Sequence, residues 1–436
     1  MTDTIYALSS GSPPAGIAVI RISGPQAFDI DALFSGAGAR LPRHATLRTL
    51  TDPASGEVLD RVLALRFPGP ASATGEDIAE WHCHGGRAVV HAVLDALERE
   101  GRSSGRFCLR EARPGEFTRR AFENGRIDLN EAEGLADLLS AETETQRRAA
   151  LLMADGHFSR RLSAWRERLL ACAAQVESLL DFSDEDDVAE EGTERVLREA
   201  LAALVHDMRS VLALPSAERL RDGVRLVLAG PPNAGKSTLL NALAGRDAAI
   251  VSDIAGTTRD RIEVPVDIGG VAFVMTDTAG LASDTDDAIE RMGIDRARQA
   301  MDAADLLLWL GDPAESPRAD AIRLAAQMDR PGWPMPAVAD LAISAATGEN
   351  MTALRALILT RARSLMPGEG DYALHKRQRD AVAEMAAALD AAAGEADLLI
   401  VAEHLRTARS AMDRLTGRSG VEDMLDALFG RFCIGK

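Results

Sequence analysis

Apolar runs and helically spaced apolar residues alternate over the first 115 or so positions. Apolar runs at 17–21, 62–67 and 78–84 predict strands, and apolar residues at helical spacing over 88–99 predict a helix. Gly and Pro residues mark the turns between these stretches. The pattern indicates an α+β region at the start of the chain.

The pattern changes twice in the remaining sequence. From 129 to about 214 the apolar spacing is helical, and it is helical again after Pro367. Between these helical parts, strand-like runs alternate with helical stretches, which is typical of a doubly wound α/β sheet. The strand-like runs are 224–229, 271–276, 306–310 and 338–343. Helical sequence on both sides predicts that the α/β domain is inserted into a helical domain.

The predicted fold class is therefore multidomain α+β and α/β, with an N-terminal α+β domain, a helical domain and an inserted phosphate-loop domain built on a doubly wound sheet. The predicted boundaries are 1–118 for the N-terminal domain, 119–214 and 367–436 for the two parts of the helical domain, and 215–366 for the insertion. A chain of 436 residues is long enough for several such cores.

Composition narrows the class of protein. Hydrophobic residues make up 46% and charged residues 27% of the chain, which excludes wholesale disorder. No apolar run approaches the roughly 20 residues that span a bilayer, and no signal peptide is evident, so we expect no membrane partner. Widely spaced cysteines without a CxxC pair favour a cytoplasmic location. The net charge of −18 argues against sequence-blind coating of nucleic acid, while a local basic site stays open.

Lysine is rare in this Arg-rich chain, and its first occurrence lies in a motif. Lysine occurs only at 236, 376 and 436, and residues 230–237 read Gly-Pro-Pro-Asn-Ala-Gly-Lys-Ser. This fits the phosphate loop G-x-x-x-x-G-K-[ST], between an apolar strand and a helix. Glycines let successive N–H groups face phosphates, Lys236 reaches the β- and γ-phosphates, and Ser237 holds Mg²⁺.

Two further loops follow in the order that a nucleotide hydrolase needs. Asp277-Thr278-Ala279-Gly280 follows the 271–276 run, and an Asp there holds the metal through water. Between the loops lies Gly256-Thr257-Thr258, whose Thr258 hydroxyl completes the Mg²⁺ shell. The sequence thus resembles the translation-factor-related class of small GTPases. The candidate nucleotide-binding residues are Asn233, Ala234, Gly235, Lys236, Ser237, Thr238, Ser252, Asp253, Ile254, Ala255, Gly256, Thr257, Thr258, Asp277, Thr278, Ala279, Gly280, Ser344, Ala345 and Ala346.

The purine-reading motif departs from that class. Its members carry N-K-x-D after the strand that follows 306–310, and we assign residues 337–341, Ala-Val-Ala-Asp-Leu, to that place. Either Asp340 is the surviving Asp, or a deletion removed the motif and 338–343 is the last strand before Ser344. The short distance from Trp309 to Ser344 favours the deletion. Guanine specificity stays open at this point.

Motifs outside the phosphate-loop region indicate which family of this GTPase class the chain resembles. They are Asp3-Thr4-Ile5, Ile20-Arg21-Ile22-Ser23-Gly24, Thr74-Gly75-Glu76-Asp77, Glu80, His84-Gly85-Gly86, the stretch 112–129 around Arg-Pro-Gly-Glu-Phe-Thr and Asn-Gly-Arg, and the tail Phe432-Cys433-Ile434-Gly435-Lys436. With the nucleotide loops, they resemble the tRNA modification GTPase MnmE (TrmE) family over essentially the whole chain.

The resemblance implies an N-terminal domain that binds tetrahydrofolate and dimerises. Its folate-contacting positions are Arg21, Glu80, Arg126 and Lys436, where cations suit a glutamyl carboxylate and Glu80 accepts from pterin N–H groups. The implied cofactors are GTP/GDP, Mg²⁺, K⁺ and a 5-formyl- or methylene-tetrahydrofolate, with FAD only through the partner. The implied partners are a second copy of the chain, tRNA, and MnmG (GidA) in a heterotetramer that modifies C5 of the wobble uridine, position 34.

The family also implies how hydrolysis proceeds. K⁺ takes the place of an arginine finger, bound by Asn233, Ser252, Ile254 and Thr257. Glu290 orients the attacking water, although an acid in the first turn of a helix is also favoured by the helix dipole. Cys433 lies in the C-terminal motif; it is either near the folate, as a catalytic candidate, or a small buried thiol.

Two other functions compete with the modification GTPase. A folate- and tRNA-binding scaffold for MnmG, with an impaired or non-guanine-selective nucleotide site, is motivated by the missing N-K-x-D and opposed by Lys236, Ser237, Thr258 and Asp277. A ribosome-assembly GTPase is disfavoured by the folate-domain motifs and by the tail.

Overall fold

A computed structural model of the chain describes residues 3–38, 41–103, 105–181, 190–248, 263–278, 297–330, 338–366, 368, 370–417, 422–430 and 432–436. The chain divides into two compact units. The first consists of Met1–Ala136 with Thr416–Lys436, and the second of Asp137–Leu415.

The strands are β1 Thr4–Leu8, β2 Ile17–Ser23, β3 Thr46–Thr51, β4 Val58–Phe67, β5 Ile78–His84, β6 Leu109–Glu111, β7 Val224–Ala229, β8 Glu263–Ile268, β9 Val271–Asp277, β10 Leu306–Trp309, β11 Ile322–Ala325 and β12 Leu341–Ala342. The helices are α1 Ala27–Ser35, α2 Arg87–Ser103, α3 Glu116–Glu123, α4 Leu129–Ser140, α5 Glu144–Ala154, α6 His157–Asp181, α7 Glu190–Leu212, α8 Ala217–Asp222, α9 Lys236–Ala248, α10 with 297–303 described, α11 Met351–Arg363, α12 Lys376–Gly394, α13 Leu398–Leu415 and α14 Glu422–Phe429.

The first unit is built on a mixed sheet with the strand order β3-β4-β5-β2-β1-β6. Its neighbours pair antiparallel except for β1 and β6, which are parallel. Alternation along the strands sends Ile20, Ile22 and Trp81 to one face, where they pack with Phe34 of α1 and Leu97 of α2. On the opposite face, α3 covers only the β1 end, through a small apolar cluster that includes Phe117.

A fully buried arginine ties three segments of this unit together. Arg120 of α3 is 0% exposed, and its guanidinium donates to the Asp3 carboxylate at 3.0 Å and to Glu76 at 3.1 Å. It also bonds Glu116 one turn earlier, at 3.3 Å. Because a buried charge is stable only when it is paired, these carboxylates, through the two terminal nitrogens of Arg120, fix the start of β1, the 74–77 loop and α3 against one another.

The second unit combines a helical bundle with a second sheet. The helices α6, α7, α12 and α13 share one core, to which Trp165, Leu204, Leu389 and Leu405 contribute. Their apolar positions recur at helical spacing, so each helix presents one stripe to the common core. None of the described helices combines the length and apolar character that a bilayer crossing requires.

The second sheet has the order β12-β11-β10-β7-β9-β8 and is parallel apart from the edge strand β8. Its central strands are buried runs such as Leu226 to Ala229, because helices cover both faces of a parallel sheet. The fold class predicted from the sequence, multidomain α+β and α/β, is confirmed.

The sheet-containing part of the second unit is joined to the bundle through two adjacent linkers. Ser216 and Leu374 form a parallel bridge, and the Ala217 amide donates to the Leu374 carbonyl at 3.0 Å. Entry and exit of the inserted segment therefore lie side by side. The four predicted domain boundaries stay a prediction.

Each predicted strand, and the helix predicted at 88–99, has a counterpart in the structure, and the bounds differ most at one place. Strands at 78–84 and 224–229 have the predicted bounds, whereas the predicted strand 338–343 is reduced to β12, Leu341–Ala342. The strand that follows β10 is β11, Ile322–Ala325, which the apolar pattern did not predict. Because β11 is short and contains Arg323, it is less apolar than the 338–343 run. Only the strand pairing in the structure shows that β11, and not the 338–343 run, lies next to β10.

The Arg120 network gives a stability prediction. Arg120→Ala would leave Glu76 without its cation and Asp3 and Glu116 with Arg110 as their remaining guanidinium partner, so we expect the unfolding free energy of the first unit to fall by about 3–5 kcal/mol. Hydrogen–deuterium exchange of peptides from β1 in rising urea measures this loss in the full chain.

The matched control for this experiment is Arg119→Ala, on the same helix. Arg119 pairs with Glu123 and Asp426 at the surface, so its loss should cost no more than about 1 kcal/mol. Equal effects of the two substitutions would contradict the conclusion that Arg120 joins the three segments.

Candidate functional site

The loop between β7 and α9 has the backbone of an anion cradle. Gly230, Asn233 and Gly235 have φ values of +149°, +63° and +93°. A Cβ at Gly230 would lie 3.1 Å from the backbone of Leu310, so a side chain at this position would be both strained and crowded. The loop runs directly into the N-terminus of α9, whose free N–H groups and dipole favour an anion.

Lys236 lies over this loop. Its side chain is largely buried, and Nζ donates to the carbonyl oxygens of Gly230 at 2.9 Å and Pro231 at 2.8 Å. Burial lowers the pKa of Lys236, and the Asp277 carboxylate opposes this shift. The ammonium is thus held at the mouth of the loop, where a phosphate oxygen would give it a charged partner.

Ser237 and Asp277 meet beside the loop because of the register of the sheet. Leu228 of β7 pairs with Asp277 of β9 in parallel, so the ends of both strands reach the same edge. The Ser237 hydroxyl bonds the Asp277 carboxylate at 2.5 Å, and the Thr278 hydroxyl donates to the Leu228 carbonyl at 3.0 Å. A hydroxyl and a carboxylate are hard oxygen ligands, which fit Mg²⁺ directly or through water.

Several predicted nucleotide-site residues lie outside the described part of the chain. They are Ser252, Asp253, Ile254, Ala255, Gly256, Thr257, Thr258, Ala279, Gly280 and Glu290. The described candidates lie on the phosphate loop and the start of α9, at the end of β9, and on the loop that follows β12.

A cavity of about 130 Å³ adjoins the phosphate loop. Ala345 and Ala346 line one side of it, Gln327 and Asp329 another, and Thr238 of α9 also contributes. Two loops, the one after β11 and the one after β12, therefore meet the start of α9 here. A narrow cleft at the carboxyl edge of a parallel sheet is where ligands bind in this architecture.

The structure corrects the assignment of the purine-reading stretch. Asp340 forms a bidentate pair with Arg323, with nitrogen–oxygen distances of 3.1 Å, and also accepts from the Arg323 amide at 2.8 Å. These hydrogen bonds hold the pKa of Asp340 below its usual range. Asp340 is thus engaged in joining β12 to β11, and the interpretation of it as the base-reading residue is wrong.

The four residues after β11 occupy the place expected for N-K-x-D. They read Ala326-Gln327-Met328-Asp329, with Asp329 on the cavity wall. A hydrogen bond from Ser344 lowers the pKa of Asp329, so its carboxylate is ionised at neutral pH. The predicted deletion is therefore wrong as well, because the stretch is present, with Ala and Gln at its first two positions. In the sequence, the feature that locates this stretch is an Asp four residues after the short, mostly apolar run 322–325. The accompanying prediction of a last strand before Ser344 is confirmed by β12.

The four folate candidates all belong to the first unit. Arg21 of β2 and Glu80 of β5 are opposite each other in the sheet and form an ion pair at 2.8 Å, with Arg21 also stacked on the Phe117 ring. Arg126 follows α3, and its side chain lies against Gly75. Neither Arg126 nor Lys436 forms an ion pair with a described residue.

The C-terminal tail packs against β1. A Cβ at Gly435 would lie 2.1 Å from the Leu8 carbonyl oxygen, so only glycine permits this approach. Cys433 is exposed and has a free thiol, which removes the alternative of a small buried cysteine.

A phosphate loop at the carboxyl edge of a doubly wound parallel sheet defines the class: this is a P-loop nucleotide-binding protein, carrying an additional α+β domain and a helical domain. Comparison with known sequences identifies the family. The sequence profile described as "MnmE helical domain" matches residues 129–433, and that described as "GTP-binding protein TrmE N-terminus" matches residues 4–126.

Relatives match over the full length of the chain. The tRNA modification GTPase MnmE of Rhizorhabdus wittichii is 59% identical over 100% of this chain and 97% of its own. Those of Novosphingobium aromaticivorans (54%, 100% of both chains) and Zymomonas mobilis (51%, 99% and 100%) are also similar. The chain belongs to the MnmE family of tRNA modification GTPases.

The position of Lys236 gives a binding prediction. Lys236→Ala should weaken nucleotide binding by about 100-fold or more, since it removes the cation held at the loop. Isothermal titration with GDP measures the loss. Lys376→Ala, at the start of α12, is a control with the same change of residue type, and it should leave the affinity unchanged. Equal losses in both variants would point to a general effect of charge.

Proposed function

We propose that this protein hydrolyses GTP and, together with MnmG, uses the reaction to modify C5 of uridine 34 in certain tRNAs. The observation that carries the proposal is the arrangement of Lys236, Ser237 and Asp277 at one edge of the sheet, in a chain that matches tRNA modification GTPases along its whole length. The group added is an aminomethyl or carboxymethylaminomethyl group, with its carbon from a tetrahydrofolate derivative.

In the hydrolysis step, water attacks the γ-phosphorus as the bond to the β–γ bridging oxygen breaks. Loop N–H groups and Lys236 stabilise the negative charge on the phosphates, and Glu290 orients the water. Mg²⁺, bound by Ser237 and Thr258 and through water by Asp277, would neutralise charge on the β- and γ-oxygens. K⁺ would add positive charge at the same oxygens, with Asn233, Ser252, Ile254 and Thr257 as its ligands.

We assign guanine recognition to Asp329 within the cavity beside the phosphate loop. Its ionised carboxylate accepts from N1–H and the 2-amino group of guanine, a bidentate pairing that adenine does not offer. Ser344 holds the carboxylate, and the Ala345–Ala346 backbone forms the other wall. The assignment of Asp329 removes the reason for the scaffold alternative, because that alternative was based on the apparent loss of the N-K-x-D motif.

The folate site we propose lies on the uncovered part of the sheet in the first unit. The partly exposed Arg21–Glu80 pair supplies a donor and an acceptor on one face, while Arg126 and Lys436 supply cations for a carboxylate tail. Cys433, with an exposed thiol, is a candidate for the one-carbon chemistry.

The same sheet face supports a homodimer. Leu47 of β3 and Leu63 of β4 are opposite each other and are 69% and 44% exposed, and Ile17 of β2 is 58% exposed on the same face, beyond His82 and His84 of β5. Exposed apolar side chains on one face of a sheet, next to polar ones, are typical of an association site. We further propose assembly of the dimer with MnmG, which would contribute FAD, and a cytoplasmic location where tRNA is available.

Hydrolysis by the purified protein tests the enzymatic part of the proposal. GTP and ATP are compared at equal concentration in K⁺ and in Na⁺. We expect turnover that is selective for GTP and higher in K⁺. Binding without turnover, or equal turnover of both purines, would favour the scaffold instead.

The tRNA part needs a cellular test. Deletion of the gene should leave uridine 34 unmodified in the affected tRNAs, as seen by mass spectrometry of nucleosides, and co-sedimentation with ribosomal subunits is not expected. Complementation with the Lys236→Ala variant should fail if hydrolysis drives the modification. Normal tRNA in the deletion strain would overturn this part.

Replacing the base-reading carboxylate should change the preferred nucleotide. Asp329→Asn removes one acceptor and adds a donor, which suits the 2-oxo group of xanthine. We expect the KM for GTP to rise by about 100-fold or more and XTP to become the better substrate. Steady-state kinetics with both nucleotides measures this.

Asp340→Asn is the matched control, with the same chemical change 11 residues away along the chain. It weakens the pair with Arg323 and should leave the preference for GTP unchanged. A switch to XTP in Asp340→Asn alone would restore Asp340 as the base reader.

A further inference from the structure

We propose that the second unit carries a binding site for a small organic cation, in an apolar cavity between α5 and the linkers that enter and leave the inserted segment, and that the bound cation stabilises this junction. The cavity has a volume of about 300 Å³, and the residues that line it all belong to the second unit. None of these lining residues is part of the nucleotide site, so the inference goes beyond the proposed function.

The inner walls of the cavity are apolar and come from three segments. Ala150 and Met153 belong to α5, Ala217 and Leu220 to α8, and Ala373 to the exit linker. All five residues are buried, with exposed fractions of 8% or less. The short alanine side chains leave open the space that larger residues would fill. A cavity of this size, apolar inside with a few polar groups, is typical of sites for small organic molecules.

The rim of the cavity is acidic. Asp137, near the end of α4, and Glu142, in the turn to α5, both line it. His375 bonds one oxygen of Asp137, at 2.7 Å, and within the described part of the chain Glu142 forms no ion pair. Arg221, also on the rim, is paired with Asp222 at 3.0 Å, so this pair adds no net positive charge. The rim is therefore left with negative charge that a ligand can neutralise.

The walls and the rim together define the class of ligand. An ammonium or amidinium group would form charge-assisted hydrogen bonds with the Asp137 and Glu142 carboxylates, while an apolar body would displace water from the inner walls. The same rim repels an anion. At the roughly 30 Å³ that a water-sized group occupies in a liquid, the cavity holds about ten non-hydrogen atoms. The ligand is thus a small amine or amidine with a compact hydrocarbon body.

The ligand would contact α5 and both linkers at once. The Gln146 side chain of α5 already donates to the Leu220 carbonyl at 3.0 Å, and the Ala217 amide donates to the Leu374 carbonyl at 3.0 Å. The cavity lies among these contacts. Because the complete site exists only while the three segments are together, binding shifts the equilibrium towards the joined arrangement.

Binding can be measured directly on the full chain, with methionine methyl groups labelled with ¹³C and phenethylamine as the probe. Met153 lines this cavity, whereas Met366 lines a neighbouring cavity on the other side of Ala149. Met153→Leu and Met366→Leu assign the two signals. We expect the Met153 signal to shift and to saturate with a Kd below about 1 mM, while the Met366 signal stays in place. No shift of Met153, or an equal shift of both signals, would overturn the site.

Two compounds with the same hydrocarbon body or a closely similar one test the preference for a cation. Phenethyl alcohol has a neutral head group, and phenylacetate has a negative one. We expect the alcohol to bind at least about tenfold more weakly than the amine, and phenylacetate to leave the Met153 signal unshifted. Equal affinities of the amine and the alcohol would overturn the assignment of a cation.

Substitutions locate the ligand on the protein. Glu142→Gln removes one carboxylate at an exposed position and should weaken phenethylamine binding about three- to tenfold, with little effect on the alcohol. Glu177→Gln, at an exposed position of α6 that does not line the cavity, is the matched control and should leave both affinities unchanged. Equal losses in the two variants would overturn the rim as the binding group.

Ala150→Leu places a larger side chain in the cavity and should abolish the binding of both compounds. Binding of the amine at the wild-type affinity in this variant would overturn the location. If Ala150→Leu does not fold, the comparison of Glu142→Gln with Glu177→Gln decides.

Hydrogen–deuterium exchange tests the effect on the junction. At saturating phenethylamine, peptides that cover 217–222 and 371–375 should exchange several-fold more slowly, and peptides from β3 in the first unit should be unchanged. Unchanged exchange at the linkers while the Met153 signal is saturated would overturn the stabilisation of the junction. None of these readouts uses GTP turnover, so they stand or fall independently of the proposed function.

Discussion

The parallel alignment of β7 with β9, and of β10 with β11, determines where the described residues of the nucleotide site lie. Parallel strands end at one edge, so the residues that directly follow β7, β9 and β11 converge although they are far apart in sequence. The Ser237–Asp277 bond and the hydrogen bond from the Gln327 side chain to the Asn233 carbonyl are direct results of this register. A shift of one residue would turn Asp277 to the other face of the sheet.

The first unit depends on a different interaction, the ion pairs of the buried Arg120. Its sheet is covered by α1 and α2 on one face and only in part by α3 on the other, and the buried Arg120 holds the segments at that end together. The Ser23 hydroxyl joins the same network through Glu76, two residues along β2 from Arg21. The carboxylates that stabilise this fold thereby also fix the neighbourhood of the proposed folate site.

The sequence predicted the phosphate loop well because its chemistry is local. The spacing of Gly230, Gly235 and Lys236, with an apolar strand before it, specifies a strand, a turn and a helix within about 25 residues. Base recognition was not predicted, because Ala and Gln replace the two residues that make the motif recognisable. Without these two residues, the sequence does not show which apolar run pairs with β10, and the run at 338–343 is longer than β11.

By itself, therefore, the sequence determined the fold class, the phosphate loop and the family. Tertiary structure alone decided that Asp329 faces the cavity, that Asp340 pairs with Arg323, and that Gln327 contacts the phosphate loop. The physical reason is that motifs report contacts between near neighbours in the chain. Strand order and register bring distant residues together, and many sequences with the same apolar pattern could pair in more than one order.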